Sequence, residues 1–365
     1  MIADKWMQKR YTKRDFFLQS VSLLHLFLCY TGTNVKKERN PMKGKLLMML
    51  AGAALLAGCG TAVSAAAPQP TEQPAAEVKA PAPAPVTVMG RPEETMAEIT
   101  PGFRYTLADV RQVGGRQGIA ADERYYYVSG STTLQKFDKD WNLVAENNDP
   151  FAKFEIKVNH LGDIDVYNGE IYAGAENFND GAATDIQIAV YDAETLALKR
   201  TFLFEPSSGQ LECSGVAVDP DHNAVWMCSW VGEESGRYLY RYDLTTGEYV
   251  GKVHLQCPPQ WLQGIAYDKG YLYMTADDGT ADLGEPDHVY RCFIDPEATT
   301  ATVTLERTLD DVTLQGEIEG ISIDRDKNQM LISYNRGSQI VLGMVRGFYE
   351  GYEEEIHEIF VYDRS

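Results

Sequence analysis

The chain has 365 residues, 44% of them hydrophobic, with 21 tyrosines and a formal net charge of -20. That composition suits a packed β-rich fold in one large or two small domains, and argues against a disordered chain. The first 59 residues hold ten basic and three acidic side chains, so the rest carries a net charge of -27, a surface that repels phosphate backbones and argues against nucleic acid as a partner.

From Met42 the sequence reads as a basic Met-Lys-Gly-Lys, an apolar run from Leu46 to Ala57 too short for an ordinary membrane span, and Gly58-Cys59. These features mark residues 42–59 as a secretory signal, and Leu56-Ala57-Gly58-Cys59 resembles the bacterial lipobox. The resemblance implies a lipid on Cys59, cleavage before it, and an extracytoplasmic protein held to the membrane of a bacterial envelope. Residues 1–41, with a second apolar run from Phe16 to Tyr30, are read as a start-site artefact. Residues 60–97 are rich in Ala and Pro, which favours an extended, disordered tether.

Residues 98–365 carry an internal repeat. Five strings align: Gln117 to Asp122, Asp163 to Asn168, Ser214 to Asp219, Gln263 to Asp268 and Glu319 to Asp324. Each starts polar, runs apolar and ends in a turn-forming Asp or Asn. A second apolar strand follows each one (Tyr126 to Ser131, Ile171 to Glu176, Val225 to Trp230, Leu272 to Asp277, Met330 to Asn335). Third strands recur at Leu134, Ile188, Leu239, Val289 and Ile359, and the middle units add a fourth, such as Tyr249 to Leu255. Four strands at a spacing near 50 residues predict the blades of an all-β, five-bladed β-propeller. Arg104 to Val113 is a spare strand that can pair with Ile359 to Asp363 and close the last blade. A sixth blade within 336–358, a β-sandwich and an open solenoid are the alternatives.

In a propeller the first strands line the channel. The leading residues Gln117, Asp163, Ser214, Gln263 and Glu319 are therefore expected to form a polar ring. Ser131, Glu176, Trp230, Asp277 and Asn335, at the ends of the second strands, form a wider ring on the same face. The loops after them, Asn177 to Gln187, Val231 to Tyr238, Asp278 to His288 and Arg336 to His357, add Asp180, Glu233, Asp278, Asp282 and Arg336, with His160, His288 and His357 at or near strand starts. These oxygens could hold Ca²⁺ or another divalent cation, with Asp163 and Glu319 as the first ligands to test, or could be solvated side chains around a column of water. His160 reads either as a hydrogen-bonded structural residue or as a candidate general base. Trp230 reads either as a platform for a sugar ring or as a cover for the core. Cys213 and Cys228 lie nearly opposite each other, compatible with a disulfide or with two free thiols, and Cys257 and Cys292 need not pair.

The Gly-Ile-Ala-x-Asp hairpin, as in Gly264 to Asp268, followed by Tyr-x-x-Asp-x-x-Thr-Gly, as in Tyr240 to Gly247, resembles the bacterial propellers that include YncE-like, gluconolactonase-like and phytase-like proteins. In the gluconolactonase-like group an inner-strand Glu helps hold a divalent cation, and Glu319 matches that place; the rest of that metal set has no counterpart here, and that group has six blades. Phosphate-loop, dinucleotide-glycine, His-Glu-x-x-His, Cys-x-x-Cys and Gly-x-Ser-x-Gly motifs are missing from the sequence. Two functions are expected: an envelope-anchored module binding a small polar ligand, a glycan or a protein at the channel mouth, or a metal-dependent hydrolase of lactones or phosphate esters.

Overall fold

The computed structural model describes residues 102–231, 234–312 and 316–365. The signal, the lipidation of Cys59, the tether and Glu233 lie outside the described residues, and so does the side chain of Asp282.

Among the described residues the fold is all-β and β-propeller-like, built from four-stranded antiparallel meanders. The first is β2 (Gly118–Ala121), β3 (Tyr125–Gly130), β4 (Thr133–Asp138) and β5 (Leu143–Asn147). The second is β6 (His160–Tyr167), β7 (Glu170–Asn179), β8 (Ala182–Asp192) and β9 (Leu198–Leu203). The third, β10 (Gly215–Asp219), β11 (Ala224–Cys228), β12 (Tyr238–Asp243) and β13 (Tyr249–Gln256), joins the fourth, β14 (Leu262–Asp268), β15 (Tyr271–Ala276), β16 (His288–Phe293) and β17 (Thr300–Thr308). A short parallel pairing of β13 with β17 makes the two one eight-stranded sheet. The last sheet holds β18 (Gly316–Asp324), β19 (Gln329–Arg336), β22 (Ile356–Arg364) and, from the far end of the described chain, β1 (Tyr105–Gln112). The pairing of β1 with β22, from Tyr105↔Arg364 to Gln112↔Glu358, removes the open edge that three strands would leave.

Packing follows the strand pattern. Alternate apolar side chains on each meander meet those of its neighbours, so the described core divides into clusters, each shared by two adjacent meanders. Tyr127 and Leu134 meet Leu161 and Ile164, Tyr172 and Ile188 meet Val216 and Met227, and Trp226 and Leu239 meet Ile265 and Met274. Tyr273 and Val289 meet Ile318 and Tyr334, and Ile119 and Tyr126 meet Leu331 and Ile359, which returns the last meander to the first. The turn aspartates bind across these seams: Asp324 accepts from Lys139 at 2.9 Å and from the Tyr126 hydroxyl at 3.2 Å, and Asp268 accepts from Arg364 at 3.0 Å.

Two stretches expected to be loops are hairpins. Strands β7 and β8 continue through Asn177↔Thr184 to Asn179↔Ala182, because Asp180 (φ 50°) and Gly181 (φ 87°) make the left-handed two-residue turn that matches strand twist. Within 336–357, β20 (Ser338–Val341) and β21 (Met344–Phe348) pair around Leu342 and Gly343, which are also left-handed. This stretch therefore holds a two-stranded strap in place of a four-stranded blade.

Candidate functional site

The five innermost strands meet at one closely packed ring, and there the register corrects one sequence alignment. Gly118, Gly215, Gly264 and Gly320 pair with Ser129, Cys228 and Thr275 on their own second strands or lie in the matching bulge of β18. In β6 the bulge between Leu161 and Ile164 puts Asp163 in this glycine row, and Gly162 takes the leading slot. Asp163 is thus shifted by one residue from the expected ring, and such a shift turns a strand side chain to the other face.

The change of face makes Asp163 a hub. Its Oδ1 accepts from Ile119 N at 3.2 Å, its Oδ2 from Ile321 N at 3.2 Å, and its own N–H donates to Ser214 O at 2.7 Å. A Cβ on Gly118 or Gly264 would lie 2.6 Å from a carboxyl oxygen of Asp163, and one on Gly320 would also overlap that carboxyl. Three glycines leave a space at the centre of the ring and one carboxyl fills it. Burial pushes the Asp163 carboxyl well above the usual range, against the pull of the backbone N–H groups of Ile164, Ile321 and Ile119. Asp165 ties the same strand to β10 by accepting from Val218 N at 2.8 Å.

Above the hub the leading residues Gln117, Ser214, Gln263 and Glu319 line one small pocket open to solvent, with a free volume of about 30 Å³. Period-two alternation brings the residues two positions earlier to the same wall: His160, Glu212 and Glu317 line the pocket, and Trp261 packs on Trp230 with ring centroids 5.5 Å apart. Arg116, Phe178 and Gly343 complete the lining. The strap arches here from the last meander to the second: Leu342 packs near Gly181, Gly343 near the Phe178 ring, and Arg346 pairs with Asp180.

Hydrogen bonds fix most of the polar groups. Gln263 Nε2 donates to Glu317 Oε1 at 2.8 Å, Asn335 Nδ2 to Glu319 Oε1 at 2.7 Å, and Ser214 Oγ to Leu262 O at 2.7 Å. Glu176 Oε2 accepts from Cys213 N at 2.8 Å, and Glu212 Oε2 accepts from Trp230 N at 2.5 Å. Arg116 Nε binds Glu355 at 2.7 Å, with Glu317 and Glu319 at 3.7 and 3.9 Å from its Nη2. Other atoms have no hydrogen-bond partner among the described residues: Arg116 Nη2, His160 Nδ1, Glu176 Oε1 and Trp230 Nε1.

The electrostatics come mainly from burial. It raises Glu176 to about 8 and Glu317 to about 7, and it lifts Glu212 and Glu319 well above the usual carboxylate range, each helped by its glutamate neighbour. His160 is held down to about 4 by burial and by the charge of Arg116, so it is neutral at pH 7. Burial pushes Glu355 up, but His357 and Arg116 outweigh it and hold that carboxylate near about 2.

The remaining expected residues stand around this pocket rather than on its wall. Glu176 lies behind His160, with 3.6 Å between Oε1 and Nδ1, too long for a hydrogen bond. Ser131 uses its carbonyl to accept from Leu161 N, Asp277 N–H donates to Trp261 O, and Arg336 binds Glu358 and the Tyr352 hydroxyl. Cys213, Cys228, Cys257 and Cys292 are free thiols.

The divalent cation suggested by the family resemblance does not fit these residues. No group of three or more His, Cys, Asp or Glu among the described residues is disposed to hold a metal, Glu319 is bonded to Asn335, and Asp163 is enclosed by backbone.

No protein-family model matches the chain, and no curated protein matches it. Among solved structures the chain is similar to hydrazine synthase of Kuenenia stuttgartiensis, with a TM-score of 0.37 and 12% identity over 70% of this chain and 64% of that one. The chain therefore spans less than two thirds of that protein's length, and a likeness of this size says nothing about activity.

Proposed function

We propose that the chain is a lipid-anchored envelope protein whose domain is a five-bladed β-propeller, and that the propeller binds a small polar ligand or glycan at its channel mouth. The five seams of the core, the ring of innermost strands around Asp163 and the β1–β22 pairing support five blades with the ring closed. The anchor at Cys59 rests on the sequence alone.

The observation that carries the binding function is the convergence of unpartnered buried donors and acceptors on one pocket. Buried polar atoms normally have partners, and an unmet one costs about 1–3 kcal/mol, so a ligand that satisfies several at once gains that free energy. Aromatic walls beside a few fixed polar groups are the usual make-up of a small-molecule site. A hydrolase would need an activated water or nucleophile, and nothing specific in the pocket favours the metal that would supply one.

The test is a thermal-shift screen of monosaccharides, short glycans and small polar metabolites against the purified protein and its Trp230→Ala variant. The proposal expects at least one compound to raise the melting temperature of the parent and to lose that effect in the variant. If every stabilising compound acts equally on both proteins, the mouth is not the site.

A further inference from the structure

The unmet atoms on the wall of the mouth share one sign. Among the pocket-lining residues, the buried polar atoms without a hydrogen-bond partner are Arg116 Nη2, Trp230 Nε1 and His160 Nδ1. The guanidinium and the indole can only donate, and a neutral imidazole donates from Nδ1 in one of its two tautomers. The carboxyls of the same wall already accept: Glu317 Oε1 from the Gln263 amide, Glu319 Oε1 from the Asn335 amide and Glu212 Oε2 from the Trp230 backbone N–H. Water can accept from the three donors, but each molecule brings hydrogens to a wall whose acceptors are engaged.

Size and charge narrow the choice. One water-sized position takes about 10–15 Å³, so a free volume of about 30 Å³ has room for about two or three non-hydrogen atoms. A whole sugar ring is excluded, and a single end group is admitted. Burial lifts Glu319 and Glu212 well above the usual carboxylate range and Glu317 to about 7, so at pH 6 these acids hold most of their protons. Arg116 keeps its charge, and Glu355 binds it at Nε, 2.7 Å away, which leaves Nη2 to a second acceptor. One more negative charge can share the guanidinium, whereas a divalent anion would be left in excess on an acidic domain.

We infer that the mouth is a site for one monovalent anion of the size of a carboxylate group, free or at the end of a longer ligand, held by Arg116 Nη2, Trp230 Nε1 and His160 Nδ1. This assignment rests on the reading of the mouth as a ligand site and adds the chemistry of the group that enters it.

The experiment is isothermal titration of the purified protein at pH 6, in a buffer free of other small anions, with sodium acetate, sodium glucuronate, the uncharged analogue acetamide and sodium sulfate. Charge-assisted hydrogen bonds are roughly twice as strong as neutral ones, so acetate should bind about tenfold or more tightly than acetamide, and sulfate should not exceed acetate. Arg116→Gln should remove the preference for acetate over acetamide. Trp230→Phe, which keeps an aromatic ring and loses the N–H, should weaken acetate about tenfold, and it remains a test if Arg116→Gln fails to fold. Tighter binding of acetate than of glucuronate points to a free anion, and the reverse points to the acidic end of a glycan. Equal binding of acetate and acetamide, tighter binding of sulfate, or unchanged acetate affinity in Trp230→Phe would overturn the anion inference and leave the mouth a ligand site. No binding of any of the four would overturn the inference, and the broader screen would then judge the binding function separately.

Discussion

Replacing Asp163 by alanine tests how the ring is held. The carboxyl accepts from Ile119 N and Ile321 N, two backbone groups in different meanders, at a point with no access to water. Removing it orphans both N–H groups, at about 1–3 kcal/mol each, for a loss of about 2–6 kcal/mol. It also leaves an unfilled space between Gly118, Gly264 and Gly320, none of which has a side chain to move into it. Relief of the desolvation of a buried acid offsets part of this loss, so the lower end of the range is the safer expectation. At about 2–4 °C per kcal/mol for a domain of this size, the melting temperature should fall by about 4 °C or more. Asp163→Asn keeps one acceptor and turns an amide N–H toward the other backbone donor, so it should fall between the parent and Asp163→Ala. The assay is thermal unfolding followed by circular dichroism, with urea midpoints as a second reading. A melting temperature for Asp163→Ala within 1 °C of the parent would refute the hub.

Three further outcomes are expected. Stability should fall as pH rises from about 4.5 to about 8: Glu176 and Glu317 ionise freely in the unfolded chain over this span but are held protonated in the fold, at a cost of about 1.4 kcal/mol per unit of raised pKa. Below that window both states are protonated and above it both are ionised, so the slope vanishes at each end. Glu176 faces His160 and Glu212, Glu317 faces Arg116, Glu319 and Gln263, and His160 is already neutral; Glu176→Gln should therefore flatten the fall, and an unchanged slope in urea midpoints would contradict the assignment. Arg346→Ala cuts an exposed ion pair that contributes little to global stability, so the melting temperature should stay put while amide exchange in 338–348 speeds up; equal exchange in both proteins would show that this pair does not hold the strap. Cys59→Ser should move the protein from the membrane fraction to the soluble fraction of the envelope, and retention in the membrane would refute the lipid anchor.

Much of the fold is legible from pattern alone, because turn aspartates and alternating apolar residues recur with each hairpin. The partnership of Arg104 to Val113 with the final strand also follows from counting strands, and β1 does pair with β22. The site is less legible for two physical reasons. The string of the second unit was aligned on Asn168, yet Asn168-Gly169 is the two-residue turn itself, equivalent to Lys269-Gly270 between β14 and β15. Matching those turn glycines puts Asp163 beside Gly264 and marks it as a buried strut. The second reason is that a strand continues its face beyond the repeat: His160, Glu212, Trp261 and Glu317 each precede the leading slot by two residues. The period-two rule finds them once the register is right. Arg116 gives no such signal, since only the fold shows a cation enclosed by Glu317, Glu319 and Glu355.

The central claim is that a ligand satisfies the unmet polar atoms over the Asp163 ring. A crystal structure of the protein purified from the cells that make it tests it most directly. The account predicts density within hydrogen-bonding reach of His160 Nδ1, Trp230 Nε1 and Arg116 Nη2, beneath the strap. It is contradicted if those atoms are satisfied by protein groups alone and ligand density lies on another face.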